Sequence, residues 1–221
     1  PENRARRSAD EVGPGRVPPQ LPRATMRENH TDAKESLRRQ MIAMRREVPL
    51  QTRQDWSRSI CRRVCESDTF ARATHVVAYA PLGAEVDPGD AAVAVLATGR
   101  ALYYPTPDGE PTLRRARGVS GTTVPLSENG EDSLAEGVPG VLFLVPGIAF
   151  DETGGRLGRG RGWYDRLLCR YPRAWRWGLA FALQVIPRLP LDPWDVPMNA
   201  VVTERDRIDA GRSLALPEGM T

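Results

Sequence analysis

Apolar positions divide the chain into an unpatterned beginning and a body in which helical and strand-like periods alternate. Residues 1–30 are rich in Pro, Arg and small polar types, show no hydrophobic period, and are expected to form a disordered N-terminal arm. From Ala33 onward, Leu37, Met41, Ile42 and Met44 recur at helical spacing among Lys34, Arg38, Arg39, Arg45 and Arg46, which predicts a helix ending near Pro49. A second helix fits Thr52 to Glu66 and buries Trp56, Ile60, Cys61 and Val64. His75 to Leu82 reads as a buried strand closed by Pro81 and Gly83. A short helix over Ala91 to Ala97 and a strand over Ala101 to Pro105 follow. The Gly-, Pro- and Ser-rich stretch from Thr106 to Gly140 holds one further strand near Thr112 to Ala116. Val141 to Val145, Trp177 to Phe181 and Ala200 to Thr203 supply three more strands. Strands alternating with helices predict an α/β fold. We expect a three-layer α/β/α domain with a mostly parallel sheet over residues 31–210, a tail over 211–221, and ligands gathered at the carboxyl ends of the strands.

One junction in this pattern carries chemistry. The apolar run VLFLVPGIAF leads into Asp151 to Gly162, DETGGRLGRGRG, and then into Trp163, Tyr164, Leu167 and Leu168, an apolar side at helical spacing. Glycines let this turn approach a ligand closely, and Arg156, Arg159 and Arg161 bring cationic charge to it. A helix starting near Gly162 would add its free N–H groups, which suits a phosphate. The run is not a P-loop, since no Gly-Lys-Ser/Thr follows, and not a dinucleotide fingerprint. A surface loop with solvated arginines is the competing reading, but a loop pinned at both ends by buried elements favours a pre-formed site. Asp165 lies just inside the helix, where a carboxylate can share Mg²⁺ with a phosphate or simply favour the helix dipole.

Composition narrows the class. The 221 residues are 40% hydrophobic and 27% charged, as for an ordinary globular protein. A formal charge of +3 and a pI near 9.0 are too mildly basic to argue for nucleic acid. No window approaches the roughly 18 continuous apolar residues of a membrane span, so no membrane association is expected. Cys61, Cys65 and Cys169 form no CxxC pair, and His30 and His75 complete no zinc spacing, which points to a reduced, cytoplasmic setting.

The glycine-arginine turn resembles the signature of the 5-formyltetrahydrofolate cyclo-ligase family, and the likeness extends along the chain. Lys34-Glu-Ser-Leu-Arg38 resembles that family's KxxLR element. YAPLGAEVDP, Tyr79 to Pro88, resembles its Y-x-P-x-x-x-E segment, and Gly178 to Glu204 resembles its terminal block. The resemblance implies a three-layer α/β fold and ATP-driven, Mg²⁺-assisted closure of 5-formyltetrahydrofolate to 5,10-methenyltetrahydrofolate by a monomer. By the same resemblance, Lys34 and Arg38 join Arg156, Leu157, Gly158, Arg159, Gly160, Arg161, Gly162, Trp163 and Tyr164 around the ATP phosphates, with Arg159 and Arg161 assisting transfer. Asp165 and Asp195 match the Mg²⁺ positions, and Glu85, Tyr79 and Trp163 the folate contacts. Read bare, Lys34 and Arg38 are a solvated helix face, Asp195 a turn residue, Glu85 a loop carboxylate and Tyr79 a core tyrosine at a strand end.

The chain departs from the pattern at four places. Trp163 stands for the usual Tyr, Arg161 for Lys, Trp194 for His, and Asn199 for a second acid near the metal. Two alternatives remain: a cyclo-ligase-like paralogue acting on another small molecule, and a basic nucleic-acid-binding module built on the arm and the arginine turn. Met26 sits where composition changes, so the natural start is expected to be Met26, with the residues before it an upstream extension carried along in the translated sequence. N-terminal mass spectrometry of protein made from the native transcript should find no peptide upstream of Met26, and such a peptide would refute this.

Overall fold

The computed structural model describes residues 23–106, 109–118 and 133–210, with side chains from residue 31 onward. Helix α1 spans Arg23–Glu47, so residues 23–30 of the expected arm lie inside a helix. The rest of the arm and the tail 211–221 lie outside the described residues. Helix α2, Leu50–Cys65, starts directly after Pro49, whose carbonyl accepts from Arg53 N at 3.0 Å. A five-residue helix that periodicity could not reveal, α3 (Asp68–Arg72), is capped by Ser67, whose Oγ accepts from Phe70 N at 3.2 Å.

The strands follow as β1 (His75–Val77), then, after helix α4 (Gly89–Ala97), β2 (Ala101–Pro105), β3 (Leu113–Arg115), β4 (Val141–Pro146), β5 (Ala149–Asp151) and β6 (Arg156–Leu157). Helix α5 (Trp163–Cys169) precedes β7 (Trp175–Leu179), β8 (Val185–Ile186), β9 (Ala200–Val202) and β10 (Arg207–Asp209). Seven strands form one sheet in the order β10-β9-β7-β4-β1-β2-β3. The inner five are parallel, and the edge strands β3 and β10 pair antiparallel. A three-stranded sheet, β6-β5-β8, stands apart.

The near-continuous apolar strands are explained by burial on both faces. Val76, Leu102, Leu142, Leu144, Leu179 and Val202 pack with Ile60 and Val64 of α2 and Val95 of α4. Their neighbours Val77, Tyr103, Phe143, Val145 and Val201 pack on the opposite side with Leu167 and Leu168 of α5. The mixed α/β class and mostly parallel sheet are as expected. The second face differs in make-up: it carries a helix of only seven residues, and Phe150 of the small sheet packs there too. Met41 of α1 packs with Ile148, Ala149 and Leu157 in a separate cluster.

The first strand is shorter than His75 to Leu82. Ala78 N still donates to Tyr103 O at 2.9 Å, but the chain then leaves the sheet, and the Tyr79 hydroxyl donates to Val86 O at 2.7 Å to close a loop whose tip, Ala80 to Gly83, is exposed. That loop is as apolar as a strand, which is why the pattern overran the ladder. Phe150, fully buried, lies against Gly147 and Gly178. A Cβ at Gly178 would come within 2.3 Å of its ring. Gly178→Ala should therefore cost about 1–3 kcal/mol through overpacking; an unchanged urea midpoint would contradict this packing.

Candidate active site

Counting only parallel strands in chain order, the sheet reads 2-1-3-4-5, and the connections leaving β1 and β4 diverge between these neighbours. That reversal opens a crevice at their carboxyl ends. The segment after β1 carries Glu85, and the segment after β4 becomes the glycine-arginine turn. Helix α1 closes over them, because Lys34, Arg38, Met41 and Arg45, spaced four, three and four residues apart, share one inward stripe.

The turn is held from below. Asp151 Oδ1 accepts from Thr153 N at 2.9 Å, Thr153 Oγ1 at 2.7 Å and Gly155 N at 2.8 Å, while Oδ2 accepts from Leu189 N at 2.9 Å. Gly155 has to be glycine, since a Cβ there would sit 2.5 Å from Asp151 Oδ2. Further on, Gly160 (φ 89°) and Gly162 (φ 59°) take left-handed backbone conformations that L side chains rarely adopt.

Charges are densely paired around the crevice. Lys34 Nζ donates to Asp192 at 2.6 Å and to Asp195 at 2.9 Å, and Asp195 also accepts from Asp192 N at 2.8 Å. Burial alone lowers the Lys34 pKa, but the hydrogen bonds and charges of the two aspartates outweigh it and hold the ammonium above its ordinary value. Arg156 donates to both oxygens of Asp165, at 3.0 and 3.1 Å, and Val196 N reaches Asp165 at 3.2 Å. The two expected metal carboxylates are thus joined through consecutive residues, Asp195 and Val196. Arg159 pairs with Glu85 at 3.0 Å, and Glu85 also accepts from Leu82 N at 2.9 Å. Arg38 Nε donates to Gly158 O at 2.9 Å, fastening α1 to the turn.

The model of the 5-formyltetrahydrofolate cyclo-ligase family matches residues 30–204. The chain belongs to this family. It is 30% identical to the 5-formyltetrahydrofolate cyclo-ligase of Mycolicibacterium smegmatis over 195 residues, 81% of this chain and 98% of the relative. With the mitochondrial cyclo-ligase of Arabidopsis thaliana it shares 43% identity over 84 residues, 33% of this chain and 30% of the relative. The matches to the Arabidopsis, Escherichia coli and mouse cyclo-ligases span 30%, 35% and 38% of those proteins. The solved 5,10-methenyltetrahydrofolate synthetase of Aquifex aeolicus superposes with a TM-score of 0.68 at 29% identity, covering 85% of this chain and 96% of that one.

Within this cyclo-ligase family frame, the structure pairs Lys34 with Asp195, Arg38 with the Gly158 carbonyl, Arg156 with Asp165 and Arg159 with Glu85, four separate contacts between α1, the glycine-arginine turn, the β1 loop and the aspartate turn. Arg161 is exposed beside it; its carbonyl accepts from Arg166 at 3.0 Å. Trp163 and Tyr164 are half-buried with their rings edge to face, centroids 5.1 Å apart, and the Trp163 Nε1 is buried without a partner. Three of the singled-out side chains are engaged elsewhere in the fold. The Leu157 side chain is buried with Met41 and Ile148. Tyr79 is 3% exposed with its hydroxyl engaged, so it braces the Glu85 loop from inside and leaves no ring face for a ligand. The Asn199 carboxamide accepts from Arg176 N at 2.8 Å at the start of β7, so it serves sheet register and is no vacancy beside a metal. The seven-residue α5 also has too few aligned peptides for a large dipole, leaving anion attraction mainly to the arginines.

Sequence reasoning missed Asp192, Asp151 and Arg45 as site residues. The i, i+3 carboxylates of Asp192 and Asp195 were visible in DPWD, and Arg45 in the helical stripe with Lys34 and Arg38. Asp151 had no sequence signal, because its partners come from the turn's folded shape. Arg156 is 7% exposed, whereas the Arg159 side chain is 55% exposed. Arg156→Met, which strands Asp165, should destabilise by about 3 kcal/mol, and Arg159→Met by less than about 1 kcal/mol. Equal losses in urea unfolding would overturn this ranking.

Proposed function

We propose that this chain catalyses ATP-dependent cyclisation of 5-formyltetrahydrofolate to 5,10-methenyltetrahydrofolate, releasing ADP and phosphate. The observation that carries the reading is the convergence of the KxxLR lysine and arginine, the glycine-arginine turn, Glu85, Asp165 and Asp195 at the carboxyl end of the sheet in a chain that matches the mycobacterial cyclo-ligase over nearly that protein's full length. A formamide oxygen is a poor leaving group. Its attack on the γ-phosphorus of ATP expels ADP and forms an iminium phosphate; the folate's second amine then closes on the formyl carbon, and phosphate departs carrying the proton that this amine loses.

Negative charge gathers on the transferred phosphoryl oxygens, so fixed cations and N–H donors lower the barrier without a dedicated acid-base pair. Lys34, Arg38, Arg156, Arg159 and Arg161 supply the cations in this reading, and Gly158, Gly160 and Gly162 the close backbone approach. When Arg159 exchanges Glu85 for a phosphate oxygen, the Glu85 carboxylate is released to accept from the pterin's amino groups. Trp163 offers an indole for stacking in place of a phenol. Among the described residues no group of three or more His, Cys, Asp or Glu could hold a metal, and in this reading Mg²⁺ arrives with the nucleotide. Mg²⁺ binds through one or two carboxylates plus substrate phosphates, and Asp165 and Asp195 are hard oxygen donors placed to complete its shell. Bound there, it would neutralise phosphate charge. Among the described residues no helix is long and apolar enough to cross a membrane, and we place the enzyme in the cytoplasm as a monomer.

Purified protein given 5-formyltetrahydrofolate and Mg-ATP should develop methenyl absorbance in the near ultraviolet, with one ADP formed per ring closed. No signal from folded protein would refute the activity. Asp165→Asn should raise the Mg²⁺ concentration for half-maximal rate tenfold or more, and Lys34→Ala should raise the ATP requirement. Unchanged Mg²⁺ and ATP dependence would remove these residues from the site.

A further inference from the structure

A cleft of 360 Å³ opens between the first turns of α2 and the loop that follows β1. Its volume lies in the range of small-molecule sites. The two walls have opposite character. Glu85, Asp87 and Asp90 come from the β1 loop and the start of α4, and Arg53 and Arg58 from α2. Arg58 is exposed and already paired with Asp55. Arg53 has no carboxylate partner among the described residues; its Nε donates to Val48 O at 3.1 Å, which leaves the rest of the guanidinium fork for a ligand.

Behind this wall lies a second unmatched cation. Arg45 is 4% exposed; among the described residues its one hydrogen bond runs from a terminal nitrogen to Gly147 O at 3.2 Å, and its buried Nε has no partner. Burial lowers its pKa; Glu85 pulls it up, while Arg159 and Arg53 push it down. Glu85 is the sole acid in that group, against three arginines. Within the cleft itself, Arg53 is thus the α2-side cation without a carboxylate partner among the described residues, and it faces the hydrogen-bond acceptors of Glu85, Asp87 and Asp90 across the opening.

We infer that Arg53 is a specificity-determining residue that pairs with a carboxylate of the glutamyl tail of the folate, while Glu85 receives the pterin. This rests on the cyclo-ligase reading above. A ligand that is rich in N–H donors at one end and anionic at the other matches the cleft in only one orientation, and a guanidinium suits a carboxylate through two parallel hydrogen bonds. Oriented by both ends, the formyl group is directed toward the glycine-arginine turn, because Glu85 is the residue shared between cleft and turn.

The test compares 5-formyltetrahydrofolate with the methylamide of 5-formyltetrahydropteroate, which lacks both the glutamyl tail and a free carboxylate, in wild-type protein, Arg53→Gln and Arg53→Lys. Arg53→Gln should raise KM for the full substrate about tenfold with little change in kcat and none in the KM for ATP, and leave KM for the tailless analogue unchanged. Arg53→Lys, which keeps the charge and loses the fork, should fall between. The unchanged ATP parameter and tailless turnover establish that each variant is folded. An equal rise for both substrates, or no rise for either, would overturn the tail contact while leaving the cyclo-ligase reading intact. Wild-type protein that turns over neither compound would overturn both.

Discussion

Asp151 has no exposed surface, yet four donors meet its two oxygens, and they come from two separate parts of the chain. Thr153 and Gly155 belong to the turn leading into the arginines, and Leu189 to the segment leading into Asp192 and Asp195. A buried carboxyl left without partners would cost several kcal/mol, so the fold is forced to keep both segments in place around it. The glycine-arginine turn and the aspartate turn thus have a common anchor. Each is short and irregular, and neither could hold a ligand geometry alone.

Above that anchor the site is assembled by charge pairing across elements distant in sequence. Helix α1 reaches the aspartate turn through Lys34 and the glycine turn through Arg38. Arg156 and Asp165 join the two ends of the turn, and Arg159 ties it to Glu85 on the other side of the crevice. In the proposed reaction each of these cations would exchange its present acceptor for a phosphate oxygen, and the contacts would hold the site in shape before substrate arrives. The pairing is weakest where the arginine is most exposed, which makes the Arg159 to Glu85 contact the one most readily exchanged.

Periodicity recovered the strands buried on both faces, because six consecutive apolar residues such as Val141 to Pro146 allow few other outcomes. It failed for β5, β6 and β8, which are two or three residues long and defined by their partners. It overran β1, since the apolar residues continue into a loop whose tip, Ala80 to Gly83, is exposed. Asn199 shows a different limit. Position in a motif suggested a metal neighbour, but the carboxamide is occupied by the backbone of β7.

The sequence by itself determined the α/β alternation, the cationic glycine turn and the family, because these depend on residue type and spacing along one strand or helix. Tertiary structure alone decided which cations meet which carboxylates, that Tyr79 and Leu157 face inward, and that Arg45 and Arg53 remain without an acid. Those outcomes depend on where α1 and α2 lie against loops dozens of residues away, and local spacing holds no information about distance across the fold.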